Sequence, residues 1–204
     1  MPSIALPYFL ATPAAGPSAS AVVVIHEGNG ISPQLLRFCQ RLAGEGYSVI
    51  APDLYFRSGG SESADAMTLY RELDVAQAQR DIQASAGIVR QLGAEKVGVT
   101  GFCMGGRLTY RMAVAGGFDA AVGFYGSGIS AELGEPKCPT LLFFGGNDEW
   151  IPMSDIAAVA AHHEATTVYP EAGHGFMRDG SADHVAAAAD DAWERLLAHF
   201  RANL

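Results

Sequence analysis

Basic residues are scarce in this 204-residue sequence: 13 Lys and Arg stand against 22 Asp and Glu, a formal net charge of −9. Binding along a phosphate backbone rewards clustered Lys and Arg, and no such cluster occurs, so no nucleic-acid partner is expected. An acidic small molecule is not excluded, because individual arginines lining a site suffice to hold one. Cysteine is equally sparse. Its three copies, Cys39, Cys103 and Cys138, are odd in number, far apart and in no CxxC pair, which argues against a disulfide framework or a zinc knuckle and points to reduced thiols. Long apolar runs are missing: nothing approaches the roughly 20 residues of a membrane-spanning helix, so no membrane association is expected. Residues 1–10 lack the basic start, the long apolar stretch and the small-residue cleavage site of a secretory signal, and the expected compartment is the cytoplasm.

What is present is a chain 49% hydrophobic, of a length that fits one globular domain, 1–204. Apolar, β-branched-rich segments bounded by turn residues recur at 21–25, 47–51, 96–100, 120–124, 140–144 and 165–169, and they read as buried parallel strands. Helical spacing fills the intervals at 33–43, an interrupted 64–92, 104–115, 153–163 and 181–200. The alternation predicts an α/β fold with a mostly parallel, doubly wound sheet flanked by helices. Residues 3–10 are expected to add an edge hairpin or strand, and the Pro-, Ala- and Ser-rich 12–20 a surface connection. In such sheets ligands bind beyond the C-terminal strand ends, which narrows the functional candidates to the loops that follow the strands.

After the strand at 96–100 come Gly101, Phe102, Cys103, Met104, Gly105 and Gly106, leading straight into helical sequence. A GxCxG run in that setting is a nucleophile elbow of the α/β-hydrolase fold with cysteine in place of serine. The strained turn lifts one side chain above the sheet, the flanking glycines clear space around it, and the helix N-terminus favours a thiolate. A phosphate-binding loop fails for want of its lysine and spacing, and a dinucleotide fingerprint because the GxGxxG register is absent. Cys39, in an amphipathic helix, and Cys138, before Pro139, read as structural.

An acyl-transfer nucleophile needs a base to take its proton and a carboxylate to orient that base, in the chain order nucleophile, acid, histidine. Asp148 follows the strand at 140–144 through Gly145, Gly146 and Asn147, with Glu149 as its rival. His174 follows the strand at 165–169 through Pro170, Glu171, Ala172 and Gly173. Both fall on the predicted rim, whereas His162, His163, His184 and His199 lie in helical sequence and look like solvated-face residues. The first core strand ends in His26, Glu27, Gly28, Asn29, Gly30. Glycine at position 30 breaks the HExxH zinc motif, and no metal is expected. This loop and the residue after the nucleophile commonly supply the oxyanion hole, which assigns the Gly28 and Met104 backbone amides. Glu27 is expected at the mouth of the site, where a carboxylate accepts the thiol proton or holds the thiol unreactive; the alternative is a simple pairing with a nearby arginine.

The segments HEGNG, APDLYFR, GFCMGG, FFGGNDEWIP and YPEAGHGFMR span nearly the whole chain, and together they resemble the dienelactone hydrolase family. In that family a Cys, His and Asp triad opens cyclic enol lactones, and a glutamate in the HExxG segment activates the thiol when substrate arrives. The resemblance implies an α/β-hydrolase fold with a minimal cap and places these roles on Cys103, His174, Asp148 and Glu27. It also implies that Arg178, four residues after the histidine, binds the substrate carboxylate, a task suited to a bidentate guanidinium. Arg57, in PDLYFR, is a candidate to shape the site or a surface loop arginine, and Phe176 is expected to wall the pocket. Tyr70 and Arg71 are counterparts by placement alone of aromatic and arginine contacts that the family draws from the 58–74 stretch.

The implied reaction needs no cofactor: a thioester forms on Cys103 as the enolate leaves, and water then hydrolyses it. The expected partner is a small ester or lactone, carboxylated, acted on by a monomer or weak homodimer. The competing readings are a general carboxylesterase or thioesterase of the same fold, a non-catalytic ligand receptor that keeps the pocket, and a redox-sensing thiol.

Overall fold

Val22, Val23, Val24 and Ile25 place apolar groups on both faces of one strand, which a sheet tolerates only when both faces are covered, and all four are fully buried. The computed structural model describes residues 6–204, and their contacts fall into two compact units that part between Val97 and Gly98.

In the first unit β1 (Tyr8–Ala11), β2 (Ser20–Ile25) and β3 (Ser48–Pro52) lie in the order β1-β3-β2. β2 and β3 are parallel, with Val22 opposite Val49, and β1 joins antiparallel, with Tyr8 opposite Pro52. The predicted edge strand is thus present at its C-terminal end; residues 3–5 lie outside the described residues. α1 (Pro33–Gly44) starts where Ser32 accepts the Leu35 N–H and Pro33 fills the first turn, and it buries Leu35, Cys39 and Leu42. The interrupted helical stretch resolves into α2 (Ala66–Glu72) and α3 (Val75–Gln91). The break is local chemistry, since Asp65 and Asp74 each cap a separate helix through N–H groups of its first turn.

The second unit takes in β4 (Lys96–Phe102) from Gly98 onward, β5 (Ala120–Phe124), β6 (Thr140–Gly145) and β7 (Thr166–Tyr169), all parallel and in sequence order. β4 runs two residues beyond its predicted end, up to the elbow itself. α4 (Met104–Ala115) and α5 (Met153–His162) are close to expectation. α6 (Ala186–Asn203) starts five residues later than predicted, because residues 181–185 are tied up in turns: the Ser181 hydroxyl accepts the Asp183 N–H, and His184 Nδ1 lies 3.1 Å from the Phe176 carbonyl. His184 is therefore a loop residue and not on a helix. α6 buries Trp193, Leu196, Leu197 and Phe200, each of which contributes about 1.5–3 kcal/mol of burial. Among the described residues no helix is long and apolar enough to cross a membrane.

Candidate active site

Cys103 stands between β4 and α4 with φ 53° and ψ −116°, a conformation that costs a non-glycine residue on the order of 1–3 kcal/mol. What holds it there is backbone from the neighbouring strand. The Cys103 N–H donates to the Phe124 carbonyl (3.0 Å), and the Cys103 carbonyl accepts from Arg107 N–H (3.1 Å), the first turn of α4. That approach is possible because position 106 is glycine: a Cβ there would sit 2.3 Å from the Phe124 carbonyl oxygen. The elbow is thus built by the Gly-rich run and the end of β5 together.

Asp148, in the loop after β6, has a fully buried side chain on which three N–H donors converge. Oδ1 accepts from the Trp150 and Ile151 amides at 2.8 and 3.1 Å, and Oδ2 lies 2.8 Å from His174 Nδ1. Since Nδ1 must carry the proton to donate to the carboxylate, Nε2 is left for the thiol, and Cys103 is the second hydrogen-bond partner of His174. Burial opposes charge on the imidazole, but the bonds to Asp148 and Cys103 and the charges of both outweigh it and push the His174 pKa up to about 9. Glu149, the rival acid, is exposed and is not part of this chain of bonds.

The imidazole sits among aromatic rings, of which Tyr125 and Trp150 had no role expected from sequence. Tyr125, just beyond β5, is fully buried with φ 37°, and its ring lies 5.0 Å from that of His174. Its N–H is anchored to the Phe143 carbonyl at 2.7 Å. Phe176 packs edge-on to both Tyr125 and Tyr169 at 5.3 Å and is itself fully buried, so it lies beneath these rings and does not wall the pocket as expected. Trp150, 66% exposed, has its ring 6.2 Å from the imidazole. The one available signal for Tyr125 and Trp150 was position, since both follow strands that end on the rim.

Arg178 Nη1 bonds Asp183 Oδ2 at 2.8 Å. Its guanidinium packs on Gly175, where a Cβ would come within 2.7 Å of the Arg178 Cζ, so the glycine after the histidine makes room for the arginine. Met104 is buried at the start of α4.

In the first unit the loop after β2 is pinned by its own carbonyls. His26, fully buried, accepts the Leu54 N–H at Nε2 (3.1 Å), so its Nδ1 carries the proton and donates to the Glu27 carbonyl (2.6 Å). Burial holds the His26 pKa below its ordinary value against the opposing pull of that bond and of Asp53. The Glu27 carbonyl also accepts from Gly30 N–H (3.0 Å), and the Tyr55 hydroxyl donates to the Gly28 carbonyl (3.0 Å). In a planar trans peptide the N–H points opposite the carbonyl, so fixing the Glu27 oxygen also aims the Gly28 N–H.

Arg57 forms a two-pronged ion pair with the buried Asp81 of α3, and its guanidinium stacks over Phe56. Tyr70 is half-buried and Arg71 exposed, both on α2. The description of His162, His163, His184 and His199 as solvated-face residues needs correction at three of them, His184 on the Phe176 carbonyl being one. His163 Nε2 meets the Tyr110 hydroxyl at 2.6 Å, and His199 Nε2 lies 3.1 Å from the Pro139 carbonyl.

A family model described as the dienelactone hydrolase family matches residues 6–204. A carboxymethylenebutenolidase of Pseudomonas putida is 32% identical over 91% of this chain and 86% of its own. A crystal structure from Klebsiella pneumoniae subsp. pneumoniae MGH 78578, provisionally assigned as a dienelactone hydrolase, superposes with a TM-score of 0.85 at 32% identity, covering 96% of this chain and 92% of that one. Thermogutta terrifontis esterase 2, at 22% identity, TM-score 0.68 and coverage of 97% and 90%, shares the fold. The predicted α/β-hydrolase architecture, mostly parallel strands flanked by helices, is the one observed.

Proposed function

Because this chain belongs to the dienelactone hydrolase family, and so to the hydrolases of carboxylic esters, we propose that it opens a small anionic enol lactone through a thioester on Cys103. The observation that carries this reading is the continuous line of hydrogen bonds Asp148–His174–Cys103. His174 takes the thiol proton and the sulfur attacks the lactone carbonyl. The ring C–O bond breaks and the electron pair departs as an enolate, a good leaving group that suits a thiol nucleophile and that takes up the proton held on His174, which frees the imidazole. His174, oriented by Asp148, then takes a proton from water, the hydroxide displaces the thiolate from the acyl group, and the proton on His174 passes to the thiolate to restore the thiol. The Gly28 and Met104 amides hold the oxyanion, and Glu27 keeps the thiol unreactive in the resting site and activates it when substrate arrives. Arg178 receives the substrate carboxylate. Arg57, Tyr70 and Arg71 shape the substrate site, and the chain 1–204 works as one domain, which a single family match over 6–204 supports.

The test is intact mass after mixing with a slowly deacylating lactone. One acyl group on Cys103, absent in Cys103→Ala together with turnover, is the expected result; full turnover in that variant would sink the proposal. The pairing of Arg178 with Asp183 favours a second reading, a general esterase without need of an anionic substrate. Arg178→Ala separates the two: a loss confined to carboxylated substrates supports the lactone reading, and an equal loss on neutral esters supports the general one.

A further inference from the structure

Leaving an indole in water forfeits the burial that a ring of its size would gain, yet Trp150 is the most exposed large hydrophobic side chain among the described residues, at 66%. Met153, three residues on at the start of α5, is next at 52%. The backbone beneath this apolar pair is fixed. The Trp150 and Ile151 amides both donate to Asp148 Oδ1, and Ile151 is buried at 3% exposure. The carboxylate that orients His174 therefore also fixes the backbone from which the indole projects, and the indole ring lies 6.2 Å from the imidazole, tilted 48° to it. Buried Tyr125 supports the same imidazole, so Trp150 is not needed to hold it. An aromatic ring on a fixed backbone beside the proposed acyl-transfer centre, with its surface open to solvent, has the properties of a stacking platform.

We propose that Trp150 is a specificity-determining residue on which the planar, conjugated part of an ester or lactone stacks while its carbonyl is presented to Cys103. This rests on the acyl-transfer reading above. The substrate class it selects is unsaturated or aromatic, in preference to saturated esters of equal length.

Two measurements test it. In kinetics, Trp150→Ala lowers kcat/KM for a conjugated acyl ester roughly three- to tenfold, the scale of one aromatic contact, mainly through KM. The saturated ester with the same leaving group changes less than about twofold, and Trp150→Phe restores most of the preference, as expected of an aromatic contact. Equal losses on both esters, or none, overturn the platform. In binding, Cys103→Ala is titrated with the conjugated ester while tryptophan emission is followed. The other tryptophan, Trp193, is buried in α6 at 4% exposure. The emission change is expected to persist in Trp193→Phe and vanish in Trp150→Phe; its survival in Trp150→Phe overturns the proposal. Full hydrolysis by Cys103→Ala would instead remove the acyl-transfer reading and leave the platform to be judged on emission alone.

Discussion

Cys39 and Cys103 carry the same side chain into opposite surroundings. Cys39 lies in the middle of α1, fully buried, and its thiol is pushed up to about 12 by that burial, against a smaller pull from its own backbone. Cys103 is held at positive φ by the end of β5, partly exposed and hydrogen-bonded to His174. α1 is a relaxed helix whose apolar face needed a small hydrophobe. The elbow is a strained turn that nothing in the packing of a core requires, so the difference teaches that strain and a placed base, more than residue type, mark a candidate nucleophile.

The largest expected effect breaks the comparison outright if it fails. Cys103→Ala should lower kcat by about 10⁴-fold or more, while Cys39→Ala and Cys138→Ala keep turnover within about twofold; steady-state rates on one activated lactone check all three. Next in size is Asp148→Asn. Loss of the oriented imidazole should cost on the order of 10³–10⁴ in kcat, and an NMR titration should show the His174 pKa falling from about 9, with Cys39 unaffected. An unchanged titration would remove Asp148 from its assigned role.

The third expectation concerns pH. The folded His174 pKa lies above the ordinary 6.5, so its stabilisation is fully present below pH 6.5 and is lost as pH rises through about 9. The loss is at most on the order of 3 kcal/mol. Urea unfolding at pH 6 and pH 9.5 measures it, and in Cys103→Ala the change should shrink, since a partner that raises the His174 pKa is gone. The smallest effect sharpens the other side: Cys39→Ala should cost about 1–2 kcal/mol of stability by leaving a small cavity, read from the urea midpoint. Iodoacetamide should label Cys103 in the native protein and Cys39 only after unfolding.

Much of this was legible in local sequence. Strand 120–124 and helix 104–115 agree with expectation to the residue, because buried apolar runs and glycine punctuation act over a few residues. The rim positions of Asp148 and His174 follow from the same punctuation. The start of α6 was not legible, since Ser181, Asp183 and His184 spend their polar groups on turns, on Arg178 and on the Phe176 carbonyl. Nor was the internal pairing of Arg57 with Asp81, 24 residues away.

The chain by itself determined that a thiol would follow a strand, precede a helix and be flanked by glycines, and that an acid and a histidine would follow in order. Only the tertiary structure decided that Phe124, from the next strand, holds the Cys103 backbone, that Tyr125 supports the imidazole, and that Asp148 orients His174. Each of these depends on a contact between segments far apart in sequence, where no periodicity or local propensity carries the information.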